Sequence, residues 1–361
     1  MAMKVAIVGC GRIADGHVEE IQKIPSARLV AVCDLESLMA EQVAVRYGIP
    51  VHYDDFQRML EVERPEVVHI TTPPDSHLPL AMVALASGCH VFVEKPVATN
   101  HADVEKLVQA VVKAGKKLAV GYTYRFDPCA VAVRDMIRRG VLGDVVHVES
   151  YYGYDLAGTY GKSLLQSDRH WVHGLPGKLF HNMIDHVLEK VTEHISDESP
   201  TICAHGLRRW QTRYGDGRDN LLDELRVMIS GEKVTAYGTV SSHARPVAHF
   251  ARIYGTKNAA HVDYVSRTVT LDSAPKLPSA LGRVFPPFCQ SWQFLREGTR
   301  NVFRFAKSDF HFFAGLNRLI TLFYDSIIQD QEPPIPYRDI LWVSRVTDSV
   351  NEQVFGIEPK R

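Results

Sequence analysis

The sequence predicts an α/β domain on a parallel sheet, followed by an α+β domain with a large, open, mainly antiparallel sheet. Three observations carry this. The first 122 residues alternate between short apolar runs and helix-period segments of βαβ length. After Arg125 the texture changes to strand-like segments bounded by Gly, Asp and Asn. At 361 residues the chain is long enough for two domains, and 45% hydrophobic with 23% charged residues is ordinary globular composition.

The elements follow in order. Val5–Val8 is a continuous apolar run, as in a strand buried on both faces. A glycine cluster and a helix to about Ile24 come next, stopped by Pro25. Arg28–Cys33 reads as a strand, and Ser37–Tyr47 as a helix closed by Gly48. Val67–Thr71 is a strand, Leu78–Ser87 a helix and Val91–Val93 a strand. Asn100 can cap a helix carrying Val104, Leu107, Val108 and Val111 on one side, and Leu118–Tyr122 is the next strand. Beyond it, Cys129–Arg139 reads as a helix. Strands are expected at 145–152, 202–210, 224–230, 234–241, 250–254, 261–265 and 268–271, with a helix over 338–355.

Composition excludes several classes. Lys plus Arg (41) balances Asp plus Glu (42), so no nucleic-acid footprint covers the surface. The six cysteines form no C-x-x-C pair and no disulfide framework. The opening residues lack the apolar run of a signal peptide, and no stretch is long enough to span a membrane. A cytoplasmic, reduced protein is expected, with no nucleic-acid partner and a membrane partner disfavoured.

Gly9-Cys10-Gly11-Arg12-Ile13-Ala14 matches G-x-G-x-x-[GA] between a buried strand and a helix. Gly9 allows the tight turn, Gly11 lets backbone approach a pyrophosphate, and Ala14 keeps helix and sheet close. Arg12 and Ile13 open that helix and join the cofactor set. Asp34 ends the second strand, 20 residues past Ala14, where an acid binds the adenosine ribose hydroxyls. Its charge opposes a 2′-phosphate, so the expected cofactor is NAD rather than NADP.

Four segments together resemble the glucose-fructose oxidoreductase / inositol 2-dehydrogenase / rhizopine-catabolism (Gfo/Idh/MocA) family. They are the glycine segment with Gly16 and His17, Thr71–His77 (TTPPDSH), Glu94-Lys95-Pro96, and Gly121–Pro128 (GYTYRFDP). The resemblance covers about the first 150 residues. It implies an N-terminal Rossmann domain over 1–124 and a substrate-binding and oligomerisation domain over 125–361. It also implies an NAD(P)-dependent dehydrogenase acting on CH–OH groups of a sugar, polyol or sugar derivative. Carried over, Thr71, Thr72, Pro73, His77 and Glu94 lie along the cofactor, with Pro74 where the family commonly has Asn. Lys95 sits near nicotinamide and polarises the substrate oxygen, and Arg125 is placed at the substrate.

The family's D-x-x-x-H helix corresponds here to His181-Asn182-Met183-Ile184-Asp185, the pair reversed in order. Positions i and i+4 share a helix face, so Asp185 could hold one ring nitrogen of His181 and make the other a proton acceptor. His186, about 100° further round, is the competing candidate. Asn182 and His186 are otherwise assigned to the substrate. Hydride transfer needs no metal, and none is expected despite the histidines at 170, 173, 181, 186 and 194.

A non-catalytic NAD-binding regulator, or a hydrolase or lyase using NAD transiently, remain alternatives on the same scaffold. The open sheet leads us to expect a homodimer or homotetramer. Segment 275–313, rich in Phe and Arg, has its first half broken by Pro275, Pro278, Pro286 and Pro287. A lid, a subunit contact, an anionic partner or a basic amphipathic helix at a membrane are its candidate roles, the last disfavoured by the prolines.

Overall fold

The computed structural model describes residues 2–156, 158–167, 170–208, 222–273, 278, 281–306 and 313–357. They fall into two compact units. The first takes its residues from Met1–Thr123 and Gly315–Asp348, the second from Tyr124–Ala314 and Ser349–Glu358.

The first unit holds strands β1 (Met3–Val8), β2 (Ala27–Cys33), β3 (Val51–Tyr53), β4 (Val67–Ile70), β5 (His90–Val93) and β6 (Leu118–Val120). They pair in parallel in the order β3-β2-β1-β4-β5-β6. Between them run helices α1 (Arg12–Gln22), α2 (Ser37–Tyr47), α3 (Phe56–Glu63), α4 (His77–Ala86) and α5 (His101–Lys113). Val5, Ala6, Ile7, Val67, Val68 and Ile70 are wholly buried, as central strands covered on both faces require. Strand order reverses direction between β1 and β4, and ligands of such sheets bind at the carboxyl edge of that point. β3 and α3 were not expected: β3 has three residues, and half of α3 is exposed.

In the second unit α6 (Pro128–Arg138), β7 (Val145–Gly153), α7 (Thr159–Gln166) and α8 (Lys178–Leu188) lead into β8 (Thr201–Leu207), β9 (Glu224–Ser230) and β10 (Thr235–Ser241). Strands β11 (His249–Gly255), β12 (Asn258–Asp263) and β13 (Thr268–Ser273) complete a sheet of order β13-β12-β11-β7-β10-β9-β8. Only β7 and β10 pair in parallel. The strand expected to reach Trp210 ends at Leu207, and Trp210 lies outside the described residues.

Two later elements depart from the expectation. Leu281–Ala306 is one continuous helix, α9, with Pro286 and Pro287 inside it. Pro275, Lys276, Lys307, Phe310 and Phe312 of that segment lie outside the described residues. Residues 315–348, expected with the second domain, join the first unit through α10 (Ala314–Ile328) and the start of α11 (Tyr337–Phe355). Leu319, Ile320, Phe323 and Tyr324 are wholly buried there, and the Phe323 ring lies edge-on to Phe92 of β5. Tyr337 Oη accepts from the Leu118 N–H at 3.1 Å, and Asp348 accepts from the His101 N–H at 2.9 Å. Burying this apolar face against the sheet is the driving term that sequence spacing alone could not assign to one domain.

Candidate active site

At the carboxyl edge of the first sheet, Gly9 has φ +96°, and a Cβ there would stand 2.7 Å from Thr72. The turn therefore demands glycine twice over. Gly11 is different. Its φ is −74°, and a Cβ would meet nothing within 4 Å. The fold does not require glycine at 11, and the open space beside it is where such a turn lets a pyrophosphate approach the backbone. Arg12 and Ile13 begin α1 directly behind it. Asp34 Oδ2 accepts from the Cys10 N–H at 2.7 Å and Oδ1 from the Glu36 N–H at 3.0 Å. A carboxylate has about four lone-pair sites, so this anchoring leaves acceptors for ribose hydroxyls. These residues fit a dinucleotide.

The turn after β4 is tied to the glycine loop. Thr71 Oγ1 donates to the Gly9 carbonyl at 2.6 Å, and Ser76 Oγ bonds Thr72 Oγ1 at 2.7 Å. His77 is wholly buried between the carbonyls of Thr72 (2.8 Å) and Val97 (3.2 Å), while Pro73 is exposed. Burial lowers the His77 pKa more than its carbonyl partners raise it. So His77 stitches the turn to the loop after Glu94-Lys95-Pro96, where the Lys95–Pro96 peptide is cis.

Glu94 is the best-held group of this edge. His17 Nε2 lies 2.9 Å from Oε1, and the Lys95 N–H donates to Oε2 at 3.2 Å. His17 Nδ1 meets His69 Nδ1 at 2.8 Å, and His69 Nε2 meets Tyr324 Oη at 2.7 Å. With the shared proton on His69 Nδ1, the neutral His17 ring carries its own proton on Nε2 and donates it to Glu94; with it on His17 Nδ1, an Nε2–H on Glu94 requires the imidazolium. Burial pushes the Glu94 carboxyl up, but His17 and Lys95 outweigh it and hold the pKa below its usual value. A Cβ on Gly121 would stand 2.6 Å from Glu94 Oε1, so the glycine makes room for the carboxylate.

In the second unit His181, Asn182 and Asp185 are all buried on α8. Asn351 Nδ2 donates to His181 Nδ1 at 2.9 Å. A Cβ on Gly177 would collide with the Asn351 side chain, which shows how closely the start of α8 and the end of α11 approach. The amide on Nδ1 places the proton of a neutral ring on Nε2. That tautomer donates at Nε2 and does not accept there, the reverse of what the sequence led us to expect for His181.

His186 has the opposite setting. Glu189 Oε1 lies 3.5 Å from its Nδ1, within ion-pair distance. The contact is electrostatic rather than a hydrogen bond, and a carboxylate there favours Nδ1–H, with Nε2 then the acceptor. The ring sits 5.1 Å from that of Tyr124 and 4.6 Å from that of Tyr152. One turn on, Lys190 Nζ donates to the His186 carbonyl and to His249 Nε2, the latter at 2.8 Å. Its ammonium lies 5.4 and 5.3 Å from the Tyr124 and Tyr264 ring centres. Burial pulls Lys190 down to about 7, and burial likewise raises Tyr124 and lowers His249. Strongly perturbed groups cluster at functional sites more often than elsewhere, which makes this group a candidate.

Arg125, expected at the substrate, is 6% exposed and its Nε lies 2.9 Å from Glu193 Oε1, which Arg134 also bonds. Burial raises the Glu193 pKa, but the two arginines bring it below its usual value. The guanidinium thus carries a buried ion pair. Sequence reading missed Asn351, Glu189, Tyr124, Tyr152, Lys190 and His249. Spacing could have flagged only Glu189, three residues after His186. Among the described residues, no group of three His, Cys, Asp or Glu side chains is placed to hold a metal.

The first unit, with its glycine turn, the acid at the end of β2 and its switch-point edge, is a dinucleotide-binding type of α/β scaffold. Residues 3–122 match the GFO_IDH_MocA family, described as an oxidoreductase family with an NAD-binding Rossmann fold. The match covers residues 3–122, so it is the first unit's N-terminal segment that resembles this family. The chain is 38% identical over 141 residues to inositol 2-dehydrogenase of Rubrobacter xylanophilus, covering 38% of this chain and 40% of that protein. It is 35% identical over 144 residues to D-glucoside 3-dehydrogenase of Escherichia coli, covering 40% and 41%. The chain thus spans about two fifths of the length of these curated relatives. Across 99% of its length it has the fold of a levoglucosan dehydrogenase solved with NADH and levoglucosan, at TM-score 0.79, 17% identity and 98% coverage of that chain.

Proposed function

We propose that this protein is an NAD-dependent dehydrogenase acting on a hydroxyl-bearing carbon of a sugar, polyol or sugar derivative. The observation that carries the reading is Lys95 at the carboxyl edge of β5, next to an ionised Glu94 and on the same sheet edge as Gly11, whose open side leaves room for a ligand. NAD, when bound, supplies the hydride acceptor. The glycine loop and the first turn of α1 would hold its pyrophosphate, and Asp34 its ribose. Lys95 would polarise the substrate oxygen as a cation. His186, with Glu189 at Nδ1, would take the hydroxyl proton at Nε2. His181 would hydrogen-bond as a donor. The names of the relatives, inositol 2-dehydrogenase and D-glucoside 3-dehydrogenase, support a carbohydrate-like substrate.

The test is a panel of inositols, sugars and nucleotide sugars with NAD, followed at the nicotinamide absorbance band. A substrate-dependent rise is expected. Tight NAD binding with no rise for any compound favours the regulator reading, and turnover without net NADH favours NAD-assisted hydrolysis or elimination.

We further propose a cytoplasmic homodimer or homotetramer built on the open face of the second sheet. Gly238 faces Val187 of α8, so Tyr237 and its neighbours in register face the other way. There Tyr237 is 51% exposed and Met228 40%, beside the stacked pair Tyr151–Phe250. A monomer in light scattering at micromolar concentration would refute this.

A further inference from the structure

Helix α9 presents the wrong face to its own subunit. Its polar side lies along the edge strand β13. Gln293 pairs with both the N–H and the carbonyl of Leu271, at 2.7 and 3.0 Å. Gln290 donates to Asp272 at 2.8 Å and Asn301 to the Ser266 carbonyl at 2.7 Å. The buried residue of this helix is an acid, Glu297. The opposite side carries Phe285, Phe288, Trp292, Leu295, Val302 and Phe303, spaced at i, i+3, i+7, i+10, i+17 and i+18. These six are between 47% and 67% exposed. They form one stripe about 27 Å long. A surface helix ordinarily buries such a stripe and shows water its polar side. An exposed apolar surface of this length marks a contact site.

The charges say what covers it. Four arginines (Arg283, Arg296, Arg300 and Arg304) lie on α9 with a single acid, Glu297. Glu297 is turned inward, 3.3 Å from Arg296 and 3.9 Å from Arg300, whose side chains remain 63% and 54% exposed. Arg296 borders the stripe and Arg300 lies next to it, while Arg283 and Arg304 fall on the side that faces β13. Aromatic and aliphatic residues on one face with arginines beside them are the composition of a helix that lies in a lipid interface. A second copy of α9 would instead bring arginines against arginines. No described helix is long and apolar enough to cross a membrane, so this contact would be along the surface. The prolines that argued against a helix here are accommodated within it.

We propose that α9 docks this protein on an anionic phospholipid surface, its Phe/Trp stripe entering the headgroup layer and its arginines meeting the lipid charge. The proposal does not rest on the dehydrogenase reading.

The test is sedimentation of the full-length protein with vesicles of phosphatidylcholine alone or mixed with phosphatidylglycerol. Binding to the anionic vesicles is expected, weakening as salt rises. Two exposed arginines near such a surface correspond to about 30-fold in partitioning, so Arg296→Gln/Arg300→Gln should weaken it by that order. Phe288→Ser/Trp292→Ser should abolish it. Circular dichroism and a cooperative thermal melt on the same preparations confirm that both variants are folded. Equal binding to neutral vesicles, or none to either, overturns the proposal. So does a concentration-dependent oligomer in ultracentrifugation that Phe288→Ser/Trp292→Ser dissolves, since the stripe is then a self-contact.

Discussion

The Nε2 atom of His17 lies 2.9 Å from Oε1 of Glu94, the two side chains coming from α1 and from the end of β5. Both are at least nine-tenths buried. The pair continues through His69 to Tyr324, so the residue before Lys95 is fixed by a chain that reaches α10. His17→Ala leaves a buried carboxylate without this donor, at a cost of about 1–3 kcal/mol in chemical denaturation. The sign with pH follows from the lowered Glu94 pKa. Such a group contributes stability that is present above its unfolded pKa and lost as pH falls through the folded value. The deficit of His17→Ala should therefore be full near neutrality and shrink below the ordinary carboxylate range. A deficit that stays constant down through that range would refute the account.

The two motif glycines should fail differently. Gly9→Ala combines a positive φ with a Cβ 2.7 Å from Thr72, so it should destabilise the fold by about 1–3 kcal/mol or more. Gly11→Ala meets nothing in the protein, so its thermal midpoint should barely move. Its NAD affinity, by contrast, should fall at least about tenfold if a pyrophosphate passes there. Fluorescence titration beside a melting curve separates the two, and unchanged NAD affinity in Gly11→Ala would move the cofactor elsewhere.

Asp34 should set cofactor choice. Asp34→Asn keeps an acceptor for the Cys10 N–H but removes the charge that opposes a 2′-phosphate. We expect NAD to bind more tightly than NADP in the native protein and the gap to narrow in the variant. Equal affinities in the native protein would refute the role.

These elements show what was legible in the sequence. The parallel sheet, the glycine turn and Asp34 are local: each reads from a run of residues and its neighbour. The seven-stranded sheet was legible as segments, though not the parallel pairing of β7 with β10. What spacing could not show is long-range partnership. Asn351 reaches His181 across 170 positions, and Tyr324 reaches His69 across 255. Arg125 was expected at the substrate, and its ion-pair partner Glu193, 68 positions on, carries no motif that spacing could show. Helix α9 was hidden because proline lowers helix propensity, and packing along β13 overrides it.

Lys190 should make stability rise with pH. Its folded pKa is lowered from 10.5 to about 7 by burial. Between those values the unfolded chain carries a proton that the folded chain lacks, so folding gains as pH rises, by up to about 1.4 kcal/mol per unit. Below about 7 both states are protonated and the full penalty is present. Lys190→Met removes the penalty together with the constant contribution of the His249 bond. Urea unfolding from pH 6 to 10 should therefore show a flatter profile in the variant, with its advantage greatest at the acid end. Parallel profiles would mean that Lys190 titrates normally.

The two histidines of α8 give the sharpest test of the chemistry. Asn351 donates to His181 Nδ1, so the neutral ring offers a donor at Nε2. Glu189 stands 3.5 Å from His186 Nδ1, so that ring offers an acceptor. A proton leaving a hydroxyl needs the acceptor, and positioned general bases contribute about 10²–10⁴-fold. Turnover should fall by that order in His186→Ala, and in Lys95→Ala, with NAD affinity mostly kept. His181→Ala should cost less. Asn351→Asp adds the decisive measurement. A carboxylate at His181 Nδ1 moves the proton there, frees Nε2 to accept and raises the ring's pKa. In the double variant His186→Ala/Asn351→Asp, His181 then has the tautomer needed to take over, and part of the lost activity should return. Because a base works only when deprotonated, the acid limb of its pH–rate profile should move to higher pH. If His181→Ala abolishes turnover while His186→Ala does not, the tautomer argument fails and His181 is the base.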